Sequence, residues 1–306
     1  MPPAASRLMV FKTLKDIAKE KKASVAWIVR VATEQYRAMR WPLLRKVPEQ
    51  PNVNGWQSQS RMKPGTRYPH SPITEAVIDI QVTAGVSVDR LAEAVAGEPH
   101  YPTAEKLLTA SGAMVFGPEA NMVAATKAEP VGYLCRSADG LHIYQARTNG
   151  FTFSRLAEYS SWEEVSGEAR RLWDKYRAIA VPTSITRIAL RYVNRLDIPL
   201  PVKDFSTYLR TAPQLSPDLP QGLSGYFMQL QLPMPDHQGA CVINQTIIEP
   251  PARPNTVAVV LDIDVFRTLG VATDEAQLWE QLSQLRHEKN RVFESCITDE
   301  ARRLFQ

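Results

Sequence analysis

Ile185-Thr186-Arg187-Ile188-Ala189-Leu190-Arg191-Tyr192-Val193-Asn194-Arg195-Leu196-Asp197-Ile198 alternates charge and hydrocarbon along its length. Successive side chains of a β-strand point to opposite faces, so Arg187, Arg191 and Arg195 share one face and Ile188, Leu190 and Tyr192 take the other. The stretch therefore reads as a half-buried strand. Val257–Phe266 is built the same way, with Asp262 and Asp264 separated from Leu261, Ile263 and Val265. In Ile73–Val82, Glu75 and Asp79 again share a face. If these strands are neighbours, their arginines and carboxylates form cross-strand ion pairs. Such a face has two possible uses. It is a solvated outer surface of a sheet, or it is a site where arginine forks grip an anionic ligand or a partner.

Working outward from these strands, one order of elements occurs twice. The first half has a strand (Ile73–Val82), a helix (Val88–Ala96), three or four strands within Met114–Ser154, and an amphipathic helix (Trp162–Ile179). The second has a strand (Ile185–Ile198), a short helix (Phe205–Leu209), strands at Tyr226–Leu232, Cys241–Ile248 and Val257–Phe266, and an amphipathic helix (Ala276–Cys296). Trp162, Val165, Ala169, Leu172, Trp173, Tyr176 and Ile179 keep one helical face, and Ser161 with Glu164 forms a capping box ahead of it. Leu278, Leu282, Leu285, Val292, Phe293 and Cys296 repeat the stripe. The expected fold class is α+β: a duplicated strand-helix-strands-helix body over residues 72–306, with helices packed across the sheets.

Composition narrows the function classes. The 306 residues are 44% hydrophobic and 22% charged, which suits a globular chain with a sizeable core. No apolar run approaches the ~20 residues of a bilayer span, so a cytoplasmic protein without membrane contact is expected. Cys135, Cys241 and Cys296 are far apart and form no Cys-x-x-Cys pair, as expected of reduced thiols. The five histidines show no i, i+4 pairing. No Gly-x-Gly-x-x-Gly, P-loop or Gly-x-Ser-x-Gly is present, and Gly222-Leu223-Ser224-Gly225 has the wrong spacing for a nucleophile elbow. No catalytic residue, metal or cofactor is expected on these grounds.

Charge divides the chain. Residues 1–65 hold thirteen Lys/Arg and four Asp/Glu, a net +9, and the remainder is −5. Within this basic part, Leu14, Ile17 and Ala18 mark one short helix, and Ile28, Ala32 and Tyr36 mark a second running over Val25–Tyr36. Ser24 stands where the second helix needs an N-cap, and Trp41-Pro42 stops it. Residues 47–71 are rich in Pro, Gln, Ser and Asn and read as a linker. The domains are thus a head (1–46), a linker (47–71) and a body (72–306).

Asp16-Ile17-Ala18-Lys19-Glu20-Lys21-Lys22-Ala23-Ser24-Val25-Ala26-Trp27-Ile28-Val29-Arg30 is similar to helix A, turn and helix B of the ribbon-helix-helix DNA-binding family. The resemblance implies a homodimer, with Ser24 and Val25 at a phosphate. The only strand ahead of it is Arg7–Phe11. With Arg7, the side chains of Lys12, Lys15, Lys19, Lys22 and Arg30 are the candidate DNA contacts. The body carries Pro72-Ile73-Thr74-Glu75-Ala76, Gly150-Phe151-Thr152-Phe153-Ser154-Arg155-Leu156, Arg191-Tyr192-Val193-Asn194-Arg195, Leu261-Asp262-Ile263-Asp264 and Ile297-Thr298-Asp299. In these phrases it resembles a sporadically distributed, uncharacterised bacterial family of about 250 residues, which implies one cytoplasmic domain and no known activity.

The layout suggests a DNA-binding regulator or antitoxin-like protein. Its head would dimerise on DNA through residues 1–46, and its body would bind an unknown protein or a small anionic ligand through Glu75, Asp79, Arg187, Arg191, Arg195, Asp262 and Asp264. The alternatives are an enzyme acting on an anionic substrate, with the carboxylates as acid or base, and a plain protein-interaction module.

Overall fold

The alternating segments form strands, and each pairs antiparallel with its neighbours. A computed structural model describes residues 68–116, 122–234, 239–249, 251, 253–269 and 275–306. The chain divides into two units, Met1–Ser60 and Arg61–Gln306, and every described residue belongs to the second. The helical head of residues 1–46 and its candidate contacts Arg7, Lys12, Lys15, Lys19, Lys22, Ser24, Val25 and Arg30 lie outside the described residues.

The strands are β1 (Ile73–Thr83), β2 (Thr103–Phe116), β3 (Met122–Arg136), β4 (His142–Arg147), β5 (Gly150–Leu156), β6 (Ser184–Pro199), β7 (Phe227–Met234), β8 (Gly239–Ile248) and β9 (Thr256–Thr268). The described helices are α1 (Val88–Val95), α2 (Trp162–Ala180), α3 (Glu275–Cys296) and α4 (Asp299–Arg303). All nine strands belong to one sheet, in the order β2-β3-β4-β5-β1-β6-β9-β8-β7.

This corrects the expected α+β class with its duplicated body. What forms is one large antiparallel sheet with few helices. The cause is the pairing of β1 with β6, which sets Val77 opposite Arg191 and Ile78 opposite Leu190. That ladder joins in one hydrogen-bonded sheet the stretches that sequence order separates. The short helix expected at Phe205–Leu209 is a 3-10 turn of Phe205–Thr207, and Leu209 leaves it to bridge Ile297.

Burial follows strand parity. Ala76, Ile78 and Ile80 of β1, Ile188, Leu190 and Tyr192 of β6, and Leu261, Ile263 and Val265 of β9 are buried in one core with the apolar stripes of α2 and α3. Phe151 of β5 meets Trp173 and Tyr176 of α2 with ring centroids 5.9 Å apart in each pair. Ser161 caps α2 by accepting from the Glu164 N–H at 3.2 Å. Between the two long helices, Arg170 of α2 lies over the Trp279 ring and Arg286 of α3 over the Trp162 ring. Gly150 opens β5 where a Cβ would stand 2.5 Å from the Ile80 carbonyl oxygen, a closeness only glycine permits.

The expected linker ends earlier than residue 71. Tyr68 sets its ring edge-on to Phe293 and Phe305, its hydroxyl donates to Glu294 at 2.8 Å, and the His70 N–H donates to the Phe305 carbonyl at 2.9 Å. Among the described residues no helix is long and apolar enough to cross a membrane.

Candidate functional site

The helices take one face of the sheet, and the charged residues singled out in the strands take the other. Antiparallel register explains why they meet. Asp79 of β1 stands between Thr152 of β5 and Ala189 of β6, and Arg191 of β6 stands opposite Asp264 of β9. Neighbouring side chains on one sheet face lie within reach of a guanidinium both directly across and on the diagonal.

The result is a chain of ion pairs. Arg187 donates to Asp79 at 3.1 Å and to Asp264 at 3.2 Å, and its guanidinium lies 4.3 Å from the Phe266 ring centroid. Arg191 grips Asp262 with two bonds of 2.7 Å each. This bidentate pair is nearly buried, with 12% of the arginine and 5% of the aspartate side chain exposed. The expected solvated surface is therefore a desolvated network, and the charge-assisted forks compensate for lost water. Arg195 departs from expectation: it donates to Asp197 on its own strand at 3.0 Å and makes no ion pair with Asp262 or Asp264. Burial works against the charged form of Arg191, but Asp262 foremost, then Asp264 and Glu75, outweigh it and hold the guanidinium charged.

Several members of the network were not singled out in the sequence. Arg147 of β4 donates to Asp79 at 2.8 Å, and the Thr152 hydroxyl donates to the same oxygen at 2.6 Å. Asn244 of β8 donates to Asp262 at 2.9 Å and receives a bond from Gln229 of β7 at 2.6 Å. Their signal was parity in strands whose neighbours were unknown: Arg147, Thr152 and Asn244 each share a face with the residue they serve only once β5 adjoins β1 and β8 adjoins β9.

Chemically, this face is occupied. Asp79 accepts from three side chains, and Asp262 accepts twice from Arg191 and once from Asn244. A carboxylate held in that way is a poor general base, since its lone pairs already bind donors. An incoming anion would have to displace an aspartate from each arginine. Two donors stay open: Arg147 Nε and Arg195 Nη2 are buried and have no hydrogen-bond partner among the described residues.

Elsewhere, the three cysteines are buried free thiols. Among the described residues no group of three His, Cys, Asp or Glu side chains is placed to hold a metal ion. A second polar cluster links the loop after α1 to α2: Glu98 accepts two bonds from Arg171, at 3.0 and 3.1 Å, and one from Lys175. No family model matches the chain, and no curated protein matches it.

Proposed function

We propose that the chain is a cytoplasmic DNA-binding regulator, antitoxin-like in layout, whose basic head dimerises on duplex DNA and whose sheet unit receives a protein partner. The observation that carries this reading is the charge split: +9 over residues 1–65 against −5 over the rest. A polyanion attracts the first part and repels the second, so DNA would be held at one end of the chain only. The likeness of Asp16–Arg30 to a ribbon-helix-helix helix pair supports the same reading. For the sheet unit, a protein partner is favoured over a small anion because Arg187, Arg191 and Arg195 already face aspartates. The enzyme alternative draws less support for the matching reason, the ligated state of Asp79 and Asp262.

The test compares the full chain with one lacking residues 1–46 and with a full-length variant carrying Lys15→Ala, Lys19→Ala, Lys22→Ala and Arg30→Ala. Fluorescence anisotropy on duplex DNA is expected to show binding by the full chain and loss in both variants. Light scattering is expected to give a dimer for the full chain. A monomeric full chain, or affinity unchanged by the deletion, overturns the proposal.

A further inference from the structure

Lys289 is the one lysine among the described residues that is buried, at 5% exposure. It sits on α3 with Nζ 3.6 Å from the centroid of the Tyr192 ring on β6. No carboxylate pairs with it among the described residues, because each acid nearby is engaged. On α3, Glu288 is bound by Arg291, and Glu294 by Tyr68 and Arg302. On α2, Glu163 lies 3.8 Å from Arg286. On β9, Arg267 donates to Gln284 of α3 at 3.0 Å. From the loop before α2, the Tyr159 hydroxyl lies 3.4 Å from the Tyr192 hydroxyl. An ammonium here is therefore offset by a single aromatic face, and a buried charge without an acid is costly.

We propose that Lys289 is a proton-operated latch on α3: the helix seats fully on the sheet when the amine is neutral and loosens when the amine takes up a proton. The position makes this consequential, since α3 covers β6 and β9, the strands that carry the Arg187, Arg191, Asp262 and Asp264 network on their opposite face. Burial, reinforced by Arg286 one turn away, pushes the amine down from the ordinary 10.5 to about 7, against a weaker upward pull from Glu294. The folded value lies below the unfolded one, so between about 7 and 10.5 the unfolded chain binds the extra proton. Stability then climbs with pH through that window, and the full penalty applies below it. Tyr192 does not titrate in this range, its hydroxyl being pushed far above the usual tyrosine value by burial and by Tyr159.

Two measurements on the full chain test the latch. Heteronuclear NMR of labelled lysine side chains is expected to show a resonance titrating near neutrality that disappears in Lys289→Met. Hydrogen exchange is expected to give α3 protection factors that rise with pH above about 7, approaching tenfold per unit, the slope of one proton. In Lys289→Met the α3 protection is expected to be flat and higher than wild type at pH 7, while β3 and β4 serve as the pH-independent control. Titration of every lysine at ordinary values overturns the proposal, and so does a neutral titration without any change in wild-type α3 protection. Both of these readings come from the wild-type protein and stand even if Lys289→Met does not fold.

Discussion

At the scale of single residues, the energetic question is how a sheet face tolerates charge in near-complete burial. Arg191 and Asp262 answer it with a planar fork, two bonds of 2.7 Å and an amide from Asn244 on the remaining side. Removing one partner strands the other charge, so Arg191→Ala is expected to destabilise the protein by about 3–5 kcal/mol in urea unfolding. Replacing both, as Arg191→Met with Asp262→Leu, is expected to recover most of that loss, because a buried pair and a packed apolar pair are close in energy. A loss under about 1 kcal/mol in the single variant would mark the pair as a screened surface contact. Glu98 gives a pH signature of the same sign as Lys289, stability rising with pH, but in an acid window. Burial works to raise its carboxyl, but Arg171 and Lys175 outweigh that and hold it at about 2, below the ordinary 4.5. The contribution is present above about 4.5 and lost as pH falls toward 2. Its partners are more than a third exposed, so solvent screening leaves on the order of 2 kcal/mol. Acid titration of unfolding midpoints is expected to show this loss in wild type and a flatter curve in Glu98→Gln.

At the scale of elements, α2 shows how a helix can be correct in sequence and strained at its end. Trp162–Ala180 keeps Trp162, Val165, Ala169, Leu172, Trp173 and Tyr176 of its stripe in the core, while Ile179 is only half-buried, and the helix stops at Val181 in the left-handed region, with φ 43° and ψ 60°. A β-branched residue there costs about 1–2 kcal/mol that glycine does not. Val181 is exposed, and Pro182 already bars continuation of the helix. Val181→Gly is therefore expected to raise stability by about 1 kcal/mol, read as a higher thermal midpoint, offset in part by glycine's added unfolded-state entropy. Periodicity made most elements legible. The alternation of Ile185–Ile198 predicts a strand, which runs Ser184–Pro199, and the stripe of Ala276–Cys296 predicts a helix, which runs Glu275–Cys296. The start of β2 was not legible: Thr103–Lys106 is exposed, at the sheet edge, so no buried face imposes alternation on it. The site was half legible for a related reason. Parity placed Arg191 and Asp262 on matching faces, but Arg147 and Thr152 acquire meaning only through neighbours far away in sequence.

At the scale of the whole molecule, pairing rather than propensity decided the class. Outward from β1 the sheet continues β5, β4, β3, β2, and outward from β6 it continues β9, β8, β7, each side a run of antiparallel neighbours. Nothing in the residues of β1 and β6 announces that they bond to each other across more than a hundred positions, and that bond makes a single sheet of the body. Charge is a different kind of whole-chain property, since it adds without regard to pairing, and so it supports a prediction that the strand order does not touch. If the head binds DNA as proposed, each phosphate it neutralises releases condensed counterions into the bulk. A two-headed dimer making about six phosphate contacts is expected to give a log–log slope of affinity against salt of roughly −5. Because Leu8, Met9, Val10 and Phe11 offer base edges few donors, the slope is expected to be nearly the same on unrelated duplexes. Neutralising Lys15, Lys19, Lys22 and Arg30 should flatten it in proportion to the contacts removed, whereas Arg191→Ala should leave it unchanged. A slope near zero in the wild-type protein would mean that the +9 of residues 1–65 meets some other polyanion or none, and the regulator reading would fall with it.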